Sequence, residues 1–172
     1  RCLDVGCGTG RHLKLMPKAS IGIDFDDDFF GYIKRELPGY SQIKHNLNEY
    51  PYPFEDKIFD TILCSHVLEH LHSPYKTIME FRRILKNNGT LIIAVPNPKC
   101  VYFDFYSKVW IENFHINVWD TYTIEKFIEI HGFEIKLRRA NHPTTIKIFN
   151  LITALPIVRL FMEDIWLIAK KL

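Results

Sequence analysis

The segment Leu3-Asp4-Val5-Gly6-Cys7-Gly8-Thr9-Gly10 constrains the fold more than any other part of this chain. A strand-forming run ends at Val5, and glycines then recur at every second position. Such glycines let the backbone turn tightly without Cβ clashes. They also let a ligand lie directly against main-chain amides at the mouth of a sheet, where open α/β folds hold cofactors. The spacing discriminates between ligands. A dinucleotide fingerprint runs GxGxxG, which would place its third glycine at position 11, but Arg11 stands there. The spacing here is GxGxG, and with no pyrophosphate to hold, the loop can take a compact aminoacyl and ribose end.

Beyond the loop, apolar strand-like runs alternate with helical stretches, the pattern of a parallel sheet covered on both faces. Strands are predicted at Cys2–Val5, Ile21–Asp24, 42–44, 58–64, 90–95, 133–139 and 165–169. Asn88-Gly89 supplies a turn into the fifth. Helices are predicted from 12 to 16, from 26 to 36 with an acidic first turn, from 74 to 86 with Pro74 in the tolerant first turn, and from 123 to 130 before Gly132. The region 96–120 is less regular and rich in aromatics (Tyr102, Phe103, Phe105, Tyr106, Trp110, Phe114, Trp119), which serve either core contacts or a substrate wall.

Composition narrows the function classes. The 172 residues fit one domain, and 47% hydrophobic with 24% charged residues is the balance of a globular protein rather than a disordered one. A net charge of +2 does not announce a nucleic-acid partner. Cys2, Cys7, Cys64 and Cys100 form no CxxC pair, which favours free thiols and a reducing cytoplasm. No signal peptide or transmembrane segment is expected; the most apolar stretch, 148–158, is short and holds Asn150 and Pro156. The sequence opens inside a strand, so a preceding helix is expected to be missing.

LDVGCGTG resembles the first motif of class I S-adenosylmethionine-dependent methyltransferases, and the order of later features matches that family over essentially the whole chain. The resemblance implies an α/β, Rossmann-like, doubly wound seven-stranded sheet, mostly parallel with the last strand antiparallel. S-adenosylmethionine would be the methyl donor and S-adenosylhomocysteine the product. In that family Asp4 helps fix the loop and the methionine end of the cofactor, and Gly6, Cys7, Gly8 and Gly10 form the loop around it. Asp24 ends the second strand with a carboxylate, an acceptor for both hydroxyls of a ribose diol. The resemblance places Phe25 against the adenine. Asp26, Asp27 and Asp28 read as a solvated helix start, not a metal cluster. Asn46, beside Leu47, stands where the family commonly has an acidic residue facing the adenine amino group, and its amide oxygen can accept that hydrogen bond. Ser65 matches a position that lies on the cofactor.

His66-Val67-Leu68-Glu69-His70 also matches HxxEH, a zinc-peptidase signature, and two histidines four apart on a helix can share a metal. The surrounding order explains the segment without one, so no metal is expected and His70 is read as structural. Methyl transfer needs an aligned acceptor and excluded water. An oxygen acceptor would gain from a base of near-neutral pKa, which suits histidine. His66 is the first candidate and His115 the second, with a structural role for His115 equally open.

The fourth strand ends in CSHV rather than the NPPY type used on exocyclic base amines, which weighs against that substrate class. Val95-Pro96-Asn97-Pro98 should line the acceptor side. The later stretch resembles small-molecule O-methyltransferases, some associated with sugar or surface-glycan pathways. The expected protein is thus a cytoplasmic enzyme, monomer or homodimer, acting on a small acceptor with no nucleic-acid partner. Residues 96–120 and 140–162 would be acceptor-side or cover segments, the stretch 146–162 being an ordinary packed helix, a cover, a dimer surface or a lipid-facing patch. Methylation of RNA or protein, and a catalytically silent cofactor-binding module, are the alternatives.

Overall fold

The computed structural model describes residues 1–98, 115–141 and 164–172. The stretch 146–162 and the aromatics from Tyr102 to Phe114 lie outside them. Seven strands form a single sheet in the order β3-β2-β1-β4-β5-β7-β6: β1 (Cys2–Val5), β2 (Ile21–Asp24), β3 (Ser41–Lys44), β4 (Phe59–Ser65), β5 (Leu85–Pro96), β6 (Phe133–Asn141) and β7 (Asp164–Lys171). Neighbours pair in parallel from β3 to β5. Only β7 runs against its neighbours, antiparallel to both β5 and β6. The seven-stranded, mostly parallel sheet with its last strand antiparallel is the expected one.

Three α-helices are described: α1 (Asp27–Glu36), α2 (Pro74–Ile84) and α3 (Thr121–Ile130). They begin where the sequence supplies caps. Asp26 accepts the Asp28 amide ahead of α1, and Ser73 accepts the Lys76 amide ahead of α2. Asp120 and Thr123 form a reciprocal capping box on α3. No described helix is long and apolar enough to cross a membrane.

The helices bury their apolar stripes on both faces of the sheet. Ile78, Phe81 and Ile84 of α2, with Ile124 and Ile128 of α3, join Leu3, Val5, Ile62, Ile93 and Leu167 in the large core. Ile33 of α1 belongs to a separate cluster with Cys7 and Leu13. Strand alternation sets this division, because Asp4 between Leu3 and Val5 faces the Leu13 side.

Most boundaries shift by a residue or two, and two places differ more. The predicted helix at 12–16 is a single 3-10 turn, Leu13–Leu15. Pro17 disfavours helical backbone at Met16, and the Tyr40 hydroxyl donates to the Lys14 and Met16 carbonyls at 3.1 and 2.8 Å, satisfying them without a longer helix. The second difference is at the α2–β5 junction. The helix stops at Ile84, because Leu85 already pairs with Phe59 in the sheet. Residues 86–89 then bulge out, with Asn88 at φ +58°, before Thr90 rejoins opposite Thr61. The Asn-Gly turn therefore lies inside the strand instead of before it.

Candidate active site

The order β3-β2-β1 then β4-β5 makes the β1/β4 boundary the switch point where the chain reverses its direction of growth. At the carboxyl ends of these strands lies a cleft of about 1040 Å³. Gly6 and Gly8 line it at the end of β1, Asp24 and Phe25 at the end of β2, Asn46 and Leu47 after β3, and His66 after β4. Seven of the expected site residues thus converge from four loops.

The three loop glycines are required for different reasons. Gly6 sits at φ +66°, donates to the Ile23 carbonyl at 2.8 Å, and lies so close to Val67 that a Cβ would collide with that side chain. Gly8 faces open space, the nearest atom to an added Cβ being on the Phe29 ring at 3.8 Å. Gly10 turns away from the cleft, and a Cβ there would stand 2.5 Å from Leu37 of the α1 C-cap. Cys7 also leaves the cleft wall. Its thiol lies under Gly22, accepts from Gln42 at 3.4 Å, and burial pushes it up to about 12. It is a core residue.

Asp24 holds the loops together. Its carboxylate accepts the Gly8 amide at 2.9 Å, the Phe25 amide at 2.8 Å and the Asp26 amide at 3.2 Å. A carboxylate offers about four acceptor positions. One remains for a ligand hydroxyl, and a second hydroxyl would displace the Gly8 amide. Asn46 is similarly engaged: its amide oxygen accepts from Asn48 at 3.1 Å and its nitrogen donates to Glu49 at 3.1 Å.

Asp4 lies beneath the loop, almost fully buried, with Oδ2 lacking any hydrogen-bond partner. Burial pushes its carboxyl up to about 7; the Asp24 charge adds to the rise and the Leu13 backbone amide opposes it. Ser65 is half-buried, and its hydroxyl also has no partner. Neither lines the cleft itself; Ser65 directly precedes the lining residue His66, and Asp4 feels the charge of Asp24.

Sequence reasoning did not single out Phe29, Lys44, Asn48, Glu49, Val67 or Leu71, which complete the lining together with His45 and His70. Phe29 lies in the first turn of α1, four residues beyond Phe25, and both line the cleft. Lys44 is tied to Asp27 at 2.6 Å.

The region after β4 departs most from expectation. His66 takes a left-handed backbone, φ +55°, and its amide donates to the Ala94 carbonyl at 3.0 Å. Its ring bridges two carboxylates, with Nε2 3.4 Å from Asp164 and Nδ1 3.5 Å from Glu69. Asp164, then Glu69, push the imidazole up to about 10. These separations are ion-pair lengths rather than short hydrogen bonds, so the upward direction carries the weight. β7 delivers Asp164 to the far side of this expected base, and the two carboxylates favour its protonated form.

His66 and His70 do not share a helix face, since only a 3-10 turn, Leu68–His70, follows β4. The turn instead buries Glu69, and neither of its carboxylate oxygens has a hydrogen-bond partner. His115 comes in from the segment ahead of α3. The Ile116 and Asn117 amides donate to the Glu69 carbonyl at 2.9 and 3.0 Å, and the Asn117 side chain donates to the Leu71 carbonyl at 2.7 Å. The His70 and His115 ring centres stand 4.7 Å apart. Partial burial and then His70 lower the His115 pKa.

Comparison with known proteins matches residues 3–93 to the family model described as a methyltransferase domain. A relative from Mycolicibacterium smegmatis, whose name reads "Probable S-adenosylmethionine-dependent methyltransferase", is 26% identical over 137 residues, covering 78% of this chain and 52% of its own length. A tRNA U34 carboxymethyltransferase from Hydrogenovibrio crunogenus is 32% identical over 104 residues, covering 54% of this chain and 31% of that protein. The chain therefore spans about half or less of the curated relatives it matches. Among solved structures, an S-adenosylmethionine-dependent methyltransferase from Mesorhizobium loti superposes with a TM-score of 0.77 at 15% identity, covering 99% of this chain and 90% of that one, a likeness of fold.

Proposed function

The chain belongs to the methyltransferase domain family, and on that premise we propose that it carries a methyl group from S-adenosylmethionine to an oxygen nucleophile on a small acceptor, releasing S-adenosylhomocysteine. One observation carries the reading: Gly6, Gly8, Asp24 and Phe25 meet in one cleft at the switch point. Backbone amides of a glycine loop, a carboxylate and an aromatic ring in one cleft suit a ligand with a polar end and a flat apolar one.

The residues fit the proposed cofactor. The amides and open faces of Gly6 and Gly8 would underlie its aminoacyl end, and the Asp4 carboxyl would answer its ammonium through the loop. Asp24 would accept from the ribose. Phe25, about two-thirds exposed, with Phe29, Leu47 and Leu71 would give the adenine apolar contact. When bound, S-adenosylmethionine supplies an electrophilic methyl group on a sulfonium. The protein's part is then to align the acceptor in line with that bond and exclude water. His66 and His70 border the cleft beside Val67, which abuts Gly6, and so stand where an acceptor would approach.

The small-acceptor reading draws on charge. Among the described lining residues Lys44 is the one lysine or arginine, it is paired with Asp27, and Asp24 and Glu49 add negative charge. A polyanion such as RNA would lack cationic partners there. The free thiols of Cys2, Cys7 and Cys64 are in keeping with the cytoplasm.

Calorimetry with S-adenosylmethionine and S-adenosylhomocysteine tests the cofactor, and Asp24→Ala is expected to weaken both by at least about tenfold. If neither binds a chain that circular dichroism shows to be folded, the reading fails. A labelled methyl donor then decides the acceptor: transfer to hydroxyl-bearing small molecules is expected, and transfer to tRNA alone would replace them with RNA.

A further inference from the structure

We infer that Glu69, His70 and His115 form a binding site for a divalent first-row transition ion in the wall of the cleft. Their ligand atoms (a Glu69 carboxylate oxygen and one ring nitrogen from each histidine) all lie within 4.8 Å of one another. Bonds of about 2.0–2.2 Å in tetrahedral geometry need ligand atoms roughly 3.4 Å apart. Small side-chain rotations close that difference, and the two imidazoles already stand together although 45 residues separate them in the chain.

The burial of Glu69 is the second, independent observation. A carboxylate fully removed from water is normally paired or coordinating. Here neither oxygen has a hydrogen-bond partner; the nearest ring nitrogens are those of His66 at 3.5 Å and His70 at 4.0 Å. Beyond that ion pair with His66, an ion between Glu69 and the two histidines would supply the direct partner these oxygens lack. The backbone is also set for it. Ile116, Asn117 and the Asn117 side chain clamp the His115 segment onto the turn that carries Glu69 and His70.

Two imidazoles and one carboxylate select a borderline ion such as zinc over magnesium or calcium, which prefer all-oxygen shells. Three protein ligands leave a further coordination position, the arrangement of sites that bind an exchangeable ligand. His70 lines the cleft, so that position opens toward it. Where the proposed methyl transfer holds, the ion would seat the acceptor oxygen; the ion site itself does not depend on that reading. The HxxEH spacing, set aside on sequence order, thus contributes its glutamate and second histidine, with the third ligand arriving from far along the chain.

Chelator-stripped protein titrated with zinc chloride in a calorimeter should take up one ion per chain with micromolar or tighter affinity. Glu69→Gln, His70→Ala and His115→Ala should each weaken it by at least about tenfold, and His72→Ala should not. His70 and His115 are less buried than Glu69, so their variants keep the test intact if Glu69→Gln fails to fold. Cobalt loading adds a visible spectrum that the same variants should abolish. No uptake, uptake unchanged in all three variants, or equal loss in His72→Ala overturns the proposal. Cofactor calorimetry on the same protein separates the two readings. Zinc bound without S-adenosylmethionine would sink only the methyl-transfer reading, and the cofactor bound without zinc would sink only the ion site.

Discussion

Asp4 concentrates the physics of the site in one residue. Its carboxyl is raised from 3.8 to about 7, with burial the main cause. In the unfolded chain it loses its proton near pH 4, whereas the folded chain keeps that proton to about 7. Between those values the folded state binds more protons, so stability falls as pH rises. Asp4→Asn should therefore flatten the decline in urea-unfolding free energy between about pH 4 and 7, and leave the variant more stable than the parent at pH 8 by on the order of 1–4 kcal/mol. A slope unchanged by the substitution would remove Asp4 as its source. The same group should couple to the ligand. An ammonium beside Asp4 favours the ionised form, so S-adenosylmethionine affinity should climb with pH through about 7 in the parent and stay flat in Asp4→Asn. At this scale the sequence disclosed the loop residues, because their spacing is local. It did not disclose the state of His66, whose partner Asp164 stands 98 residues away on the antiparallel strand. Nor did it bring His115 to Glu69, since nothing local marks that approach.

Among the elements, α2 does more than cover the sheet. Arg83 near its end donates to the Tyr52 carbonyl at 3.1 Å and the Phe54 carbonyl at 2.8 Å, and pairs with Glu80 at 2.6 Å and Asp56 at 2.8 Å. Glu80 in turn accepts the Tyr52 amide at 2.8 Å. Buried Tyr52 then donates its hydroxyl to the carbonyl of Leu47, a lining residue of the cleft. One helix end thereby holds the floor of the site through the loop between β3 and β4. Arg83→Ala should cost about 1.5–3 kcal/mol, since it strips charge-assisted bonds from half-buried carbonyls. Arg35→Ala, which loses an exposed pair with Glu36, should stay within about 0.5 kcal/mol. Equal losses in a denaturant series would refute the strap. The strands and three helices were legible because apolar periodicity and capping residues are local signals. The 3-10 turn after the glycine loop and the bulge at 86–89 were not, because tertiary partners decided them: the Tyr40 hydroxyl in one case, the pairing of Leu85 with Phe59 in the other.

At the scale of the whole molecule, the proposed cofactor site and the fold share a keystone. Asp24 ties β2 to the loop after β1 and to the start of α1, and the same carboxylate offers its remaining acceptor position to the cleft. Ligand binding and folding should then be strongly linked. At a concentration of S-adenosylhomocysteine one hundred times its dissociation constant, mass action adds about 2.7 kcal/mol to stability. For a domain of this length each kcal/mol raises Tm by about 2–4 °C, so the melting point should rise by roughly 5–10 °C. Asp24→Ala should lower the Tm of the free protein, because three amides lose their acceptor, and should also shrink the ligand-induced rise at the same total concentration. A variant with an unchanged free Tm and a reduced rise would make Asp24 a ligand contact alone. One with a lowered Tm and the full rise would make it a structural tie alone. Only the joint outcome fits a carboxylate that closes the switch point of the sheet and faces the cleft from it.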